Sequence, residues 1–233
     1  MDRTIDRRSF LKRSAAAGTA AIGLSVYGLG DLEALAGSRA GCRWGALIQS
    51  DNPEADVRNM ERHVKRRFAT THHRLPWTVD LSNGFTRWSV DTSHKPIISW
   101  FARTKSGPVS WQAIADGRYD GWITNQARSL RSLGGRGYMC FHKEPEDEGN
   151  ANDWKAAYTR VRHIFENTGA RGYQWLVVLT AATYLKGEAN QWIPNRYDAL
   201  GVDGYNRHRC FGVDWRSFSK IFRPSREFAR ARG

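Results

Sequence analysis

Cysteine is scarce in this chain, with three residues among 233, and neither a Cys-x-x-Cys pair nor a His-x-x-x-His pair occurs. The common structural zinc frameworks are therefore excluded, and nothing in the sequence calls for a metal or another cofactor. A disulfide scaffold is excluded as well, because three thiols allow one bridge and leave one over. Cys140 falls inside an apolar run and reads as a buried residue. Cys42 precedes the first strand-like segment and Cys210 follows a later one; spacing alone leaves their pairing open. Internal repeats and low-complexity tracts are missing. Beyond residue 36 no apolar run approaches the ~20 residues that span a bilayer, so no membrane helix is expected there. Acidic residues are also in deficit: 36 Lys and Arg against 23 Asp and Glu give a net charge of +13. A nucleic-acid surface needs such charge gathered on one face with aromatics interleaved. Here arginine is scattered, and the one dense run, Arg62-His63-Val64-Lys65-Arg66-Arg67, reads as the polar face of a helix. Nucleic acid is not an expected partner. Solvated surface, with attraction to acidic cell-wall polymers, is the reading instead.

What the sequence does contain begins with an address. Arg7-Arg8-Ser9-Phe10-Leu11-Lys12, followed by a Gly- and Ala-rich apolar run from Ala15 to Leu29 and then Ala34-Leu35-Ala36, has the pattern of a twin-arginine export signal. Residues 1–36 are expected to be removed, giving a secreted, extracytoplasmic protein. That segment holds five basic and four acidic residues, so the remainder keeps +12. Residues 37–233 make about one domain with a sizeable core. All ten Trp lie in it. Flat apolar rings suit the faces of sugars, and the excess leans toward a carbohydrate ligand, although Trp also fills cores.

Short apolar strands alternate with helical patterns, the signature of βα units around a parallel sheet. Strands are expected at 43–49, 67–73, 96–101, 138–142, 173–179 and 199–205. Helices are expected from Asn52 to about Lys65, over 121–133 with a stop at Gly134-Gly135, from Asn152 to Gly169, and over 215–229 with an interruption at Pro224. On the third of these, Trp154, Ala157, Val161, Ile164 and Phe165 share one face. About six strand–helix units can be counted, where a complete (β/α)8 barrel has eight. The fold class expected is α/β, an incomplete TIM-type barrel.

The chemistry concentrates in Gly137-Tyr-Met-Cys-Phe-His142-Lys143-Glu144-Pro-Glu146, a short strand ending in carboxylates. A carboxyl group at a strand mouth beside His142 and Lys143 is placed to exchange protons with a ligand. Residues at such strand ends line the ligand-binding face of barrels, which marks Glu144, His142, His73, Trp100 and Tyr205 as candidates for ligand contact. Glu146, Asp147 and Glu148 read as solvated loop carboxylates. Asp203 and Asn206 read as holders of a strand-end turn. Trp175, within an apolar run, reads as packing.

Several segments together resemble glycoside hydrolase family 26, the bacterial β-mannanase family of (β/α)8 barrels. They are Phe141-His142-Lys143-Glu144-Pro145-Glu146; Asn152-Asp153-Trp154 with Ala157 and Tyr158; Gly169-Ala170 ahead of Trp175; and Val202-Asp203-Gly204-Tyr205-Asn206. The resemblance covers about residues 45–229. It implies retaining hydrolysis of a β-linked polysaccharide, β-mannan foremost, by two glutamates set about 5–5.5 Å apart. Glu144 matches the acid/base position, and Tyr205 resembles a tyrosine that stands near the nucleophile. The nucleophile, at the end of a seventh strand, has no counterpart here. Lys143 departs from the family, which usually has His directly before the acid/base. A lysine ammonium favours the carboxylate and so works against a general acid, unless strand alternation turns Lys143 away. A barrel of six strands also leaves its first and last strands as open edges, from which self-association is expected. Two readings stand at this point: a secreted β-glycan hydrolase impaired by the missing nucleophile, and a carbohydrate-binding barrel fragment without turnover.

Overall fold

The computed structural model describes residues 43–208 and 214–232. The export signal at 1–36, Cys42 and Cys210 lie outside the described residues. In chain order the elements are β1 (Gly45–Leu47), α1 (Pro53–Val64), β2 (Thr70–Pro76), α2 (Gly84–Asp91), β3 (Lys95–Phe101), a two-residue pair β4 (Arg103–Thr104) and β5 (Gly107–Pro108), α3 (Trp111–Ala115), α4 (Asp120–Leu133), β6 (Gly137–Phe141), α5 (Ala151–Asn167), β7 (Tyr173–Thr180), α6 (Ala181–Leu185), α7 (Ala189–Trp192), β8 (Ala199–Asp203) and α8 (Phe218–Arg230). Six strands form one sheet in the order β1-β2-β3-β6-β7-β8, and every pair in it is parallel. The architecture is α/β, a curled half-barrel of TIM type. Strand order follows chain order, so each strand's carboxyl end opens on the same rim. Among the described residues, β1 and β8 each pair on one side only.

Local chemistry explains the element ends. Asn52 caps α1 by accepting from the Ala55 amide, with Pro53 behind it at the first helical position. Asn150 caps α5 by accepting from the Asn152 and Asp153 amides. Gly134 closes α4 with φ of 72°, a conformation that penalises residues bearing a Cβ. At Gly137 a Cβ would stand 2.4 Å from the Pro96 carbonyl, so only glycine lets β6 begin this close to β3. Differences from the sequence expectations cluster where periodicity is short. β2 runs three residues later than expected and continues through Pro76. The short helices α2, α3, α6 and α7 carry too few turns to leave a 3.6-residue pattern. Pro224 does not interrupt α8, on which Phe218 is exposed and Ile221 buried.

The sheet has two apolar sides of different extent. Toward the helices lies the main core, where Ile98, Trp100, Met139, Phe141, Trp175, Val177 and Leu179 meet Ile123, Leu130, Trp154, Tyr158, Val161 and Phe165. The face that would line a barrel carries a smaller cluster of Tyr138, Cys140, Leu176 and Ala199, with Ile97 and Val178 against it and no helical residue. Alternation along each strand decides which side a residue serves.

That parity overturns two site expectations. Trp100 is fully buried on the helix side. Its ring stacks on Trp77 at 4.2 Å, and its Nε1–H donates to the Trp77 carbonyl. It is a core residue and presents no face to a sugar. His73 is 2% exposed, stacked on Phe85 and hydrogen-bonded to Thr71 and Ser89. Burial pushes its pKa down to about 3, so it is a neutral residue under the helix layer and not a ligand contact. Trp175 packs as expected. Replacing Trp100 by Ala removes a fully buried indole, and chemical denaturation of the variant is expected to show a loss of about 3–5 kcal/mol. A loss below about 1 kcal/mol would contradict this core placement.

Candidate active site

The site is built at the carboxyl rim by a turn of unusual backbone. After β6, His142, Glu144 and Asp147 all have positive φ, at 48°, 54° and 69°. Such conformations are costly for residues other than glycine and persist where surroundings enforce them. Two backbone bonds do so: His142 N–H donates to the Trp100 carbonyl at 2.9 Å, and Glu144 N–H to the Val178 carbonyl at 2.8 Å. The left-handed steps break strand alternation. Residue 142 is sent toward the helix layer, and residues 143 and 144 together toward the lumen.

His142 is thereby a structural latch and not the ligand contact expected. It is 2% exposed. Its Nδ1 accepts the Ala102 amide at 3.1 Å, so Nε2 carries the proton that it donates to Glu148 at 3.0 Å. Burial holds its pKa below the usual histidine range, although Glu148 pulls the other way. Of the three loop carboxylates read as solvated, only Asp147 is free of such ties. Glu148 also pairs with Arg103 at 2.7 Å. Glu146 accepts from the Thr180 amide and the Thr183 hydroxyl, fastening the turn to the end of β7 and the start of α6.

In the lumen, Lys143 bridges two carboxylates. Its Nζ lies 3.0 Å from Glu144 Oε1 and 2.6 Å from Asp203 Oδ2. The Lys143 side chain is 9% exposed, against 29% for Glu144 and 21% for Asp203. Both carboxyls lie on the one ammonium, and each influences the ionisation of the other. Two adjacent anions would repel, so one of them keeps a proton. Burial is the largest influence on Glu144, and with the Asp203 contact it outweighs Lys143 and raises the pKa to about 7. At Asp203 burial again pushes upward, but Glu144 and Lys143 prevail and lower it to about 2. Lys143 is held charged, its burial offset by both partners. The alternation that was expected to turn Lys143 away does not operate across the left-handed turn. Glu144 keeps a raised pKa even so, because burial, with Asp203 beside it, outweighs the cation.

Around this group, Tyr205 is 62% exposed and its hydroxyl donates to Asp203 Oδ2 at 3.1 Å. Asn206 does hold the strand-end turn, accepting from the His208 amide and donating to the Arg216 carbonyl. His72, the residue beside the one expected, faces the lumen and meets Ser99 at 2.8 Å. Burial, with Lys143 and Arg74 nearby, lowers its pKa to about 4. Arg74 lies over the Phe101 ring at 5.2 Å at the same rim. The structure therefore gathers Glu144 and Tyr205, places His73, Trp100 and His142 elsewhere, and adds Lys143, Asp203 and His72. Among the described residues no group of three or more His, Cys, Asp or Glu is placed to hold a metal. Two concavities, of about 290 and 470 Å³, are lined by Trp111, His142 and Glu148 and by Gln49, His73 and Phe85 respectively. Neither contains Glu144 or Asp203, which lie at the carboxyl rim.

No family model matches the chain. It is similar to Endoglucanase H of Acetivibrio thermocellus, at 21% identity across 84% of this chain and 24% of that protein. The chain thus spans about a quarter of the length of that curated relative. Among solved structures, the YdhT protein from Bacillus subtilis superposes with a TM-score of 0.53 at 15% identity, covering 70% of this chain and 63% of that one. A β-glucosidase, 1317, gives 0.41 at 14% identity over 59% and 52%. The YdhT likeness supports the barrel fold, and the comparisons do not single out a family.

Titration of the Glu144 carboxyl by carbon NMR is expected to give a midpoint near 7. Asp203→Asn removes the neighbouring charge and should lower it; Lys143→Met removes the cation and should raise it. By linkage, a pKa raised from 4.5 gives stability that is full below 4.5 and is lost as pH rises through about 7. Asp203, lowered from 3.8, acts oppositely, its contribution lost as pH falls toward 2. A Glu144 midpoint near 4.5 in the native chain would rule out a shared proton.

Proposed function

We propose that this protein is a glycoside hydrolase-type barrel acting on β-linked polysaccharide outside the cytoplasm, with Glu144 as the acid/base. One observation carries the reading: a half-exposed carboxyl at the carboxyl rim of a parallel sheet, with its pKa raised to about 7. Departure of a glycosidic oxygen needs such a proton donor near neutral pH. Barrel active sites lie on this rim. The endoglucanase similarity supports a β-glycan, and the Phe141–Glu146 and Val202–Asn206 segments favour family 26 and β-mannan. Tyr205, exposed beside Asp203, is the ligand contact retained from the sequence.

Binding without turnover is a second reading, favoured by the position of Asp203. The retaining scheme needs an ionised carboxylate about 5–5.5 Å from the acid, on the other side of the sugar. Asp203 shares the Lys143 ammonium with Glu144 and is neutralised by it, so it is not the free carboxylate that the scheme requires. Glu146 and Glu148 are turned to Thr180, Thr183, His142 and Arg103. We also propose self-association through β1 and β8, which sedimentation velocity over a concentration series would reveal as a rising mean mass.

The purified chain is expected to bind mannan oligosaccharides in calorimetry and to release reducing sugar slowly. Glu144→Gln should lower any release about 10²–10⁴-fold, the usual contribution of a general acid. Absence of binding heat would defeat both readings, and release unaffected by Glu144→Gln would defeat the assignment of the acid.

A further inference from the structure

The helix α8 gathers charge that looks scattered in the sequence. Its buried side is Ile221, with Phe228 stacked edge-on against Tyr184 of α6 and Phe222 close to Gly204 after β8. On the opposite side Lys220, Arg223, Arg226 and Arg230 are all exposed, at spacings of three, three and four residues, which places them in one stripe along the helix. Arg216 and Arg232 extend the exposed positive charge beyond both ends. Glu227 is the one acid of the helix. Among the described residues none of Arg216, Lys220, Arg223, Arg226 and Arg230 is paired with a carboxylate; the arginine pairs formed elsewhere use Asp120, Glu148, Glu166 and Asp198. Like charges three and four apart on a helix repel, and Lys220 in the first turn also opposes the helix dipole. A bound polyanion would relieve both costs.

We propose that this stripe, with Trp215 at its start, is a binding surface for an acidic polysaccharide bearing a carboxylate on each repeat. Guanidinium groups pair with carboxylates through two parallel hydrogen bonds, and a row of them suits a linear chain of such groups. Trp215, 68% exposed just before the helix, gives sugar rings an apolar face at the amino-terminal end of the stripe. A bilayer is a poorer fit, because an interfacial helix needs a free apolar face. Phe228, Ile221 and Phe222 on the apolar side of α8 are already packed toward α6 and β8, which leaves Phe218 alone exposed there among the described residues, and the outward side is charged. The surface is separate from the Glu144 group and does not depend on hydrolysis.

The test is binding of the full chain to polygalacturonate, by calorimetry or biolayer interferometry across a salt series. Retention at low salt with a steep loss as salt rises is expected. Arg223→Gln, Arg226→Gln and Arg230→Gln together should weaken binding at least 10-fold, whereas Arg87→Gln, Arg128→Gln and Arg171→Gln, which remove equal charge from other exposed positions, should change it less than 2-fold. These ratios are order-of-magnitude expectations for the loss of about three ionic contacts, following the salt-linked behaviour of polyanion binding. Equal weakening by both triples would show only general charge attraction and overturn the proposal. Trp215→Ala should weaken binding to polygalacturonate but not to polyglutamate; no difference would remove the sugar from the proposal. Tighter binding to duplex DNA or to phosphatidylglycerol vesicles than to polygalacturonate would overturn the choice of partner. Glu144→Gln should leave binding unchanged, which separates this surface from the proposed active site.

Discussion

The ammonium of Lys143 is the interaction on which the rest of the rim depends. It joins the end of β6 to the end of β8 across the lumen, bonded to Glu144 and Asp203. Without a cation, two neighbouring carboxyls in a half-buried place would both be driven toward protonation, or would move apart. With it, the two differ: Asp203 is an anion and Glu144 an acid. One sign of charge on a side chain usually implies a simple effect on its neighbour. Here the cation lowers both carboxyls, but the second carboxyl decides which of them keeps the proton.

This arrangement needs the backbone turn as much as the charges. Had β6 continued as a strand, residues 142 and 144 would have faced one side and 143 the other. The left-handed steps at His142 and Glu144 put 143 and 144 together in the lumen. Everything near the turn serves to hold it there. His142 takes the Ala102 amide on one nitrogen and gives a proton to Glu148 on the other. Glu146 reaches the end of β7. Beneath lies a strand in which every residue from Gly137 to Phe141 is buried. A rigid element thus supports the turn that carries Lys143 and Glu144, the condition for holding side chains within narrow geometric limits.

Much of the fold could be read from the residues, and less of the site. The six strands and the helices at 53–64, 120–133 and 151–167 follow from apolar periodicity and from caps such as Asn52 and Asn150. The carboxyl at the rim was evident from a strand that ends in Glu144. Parity was harder to read, because a shift of one residue moves a side chain to the other face of a sheet. His73 and Trp100 attract notice by their chemistry, yet their neighbours His72, Ser99 and Phe101 are the ones in the lumen. Counting by twos from Ser99 would have found Phe101. No local pattern would have found the pairing of Lys143 with Asp203, which are 60 residues apart in the chain and meet only through the sheet. The stripe on α8 was missed for a related reason, since its cations are dispersed in sequence and aligned only by the turn of a helix.

The three left-handed residues of the turn differ in what change they tolerate. His142 and Glu144 are fixed twice, by a strained backbone and by what their side chains hold. Asp147 has the same kind of backbone with an exposed side chain. Glycine at that position would relieve the steric strain of a left-handed residue while giving up no buried contact, at the expense of a looser unfolded chain. Position 147 is therefore where sequence drift in this turn has room, and its two companions are where it has none.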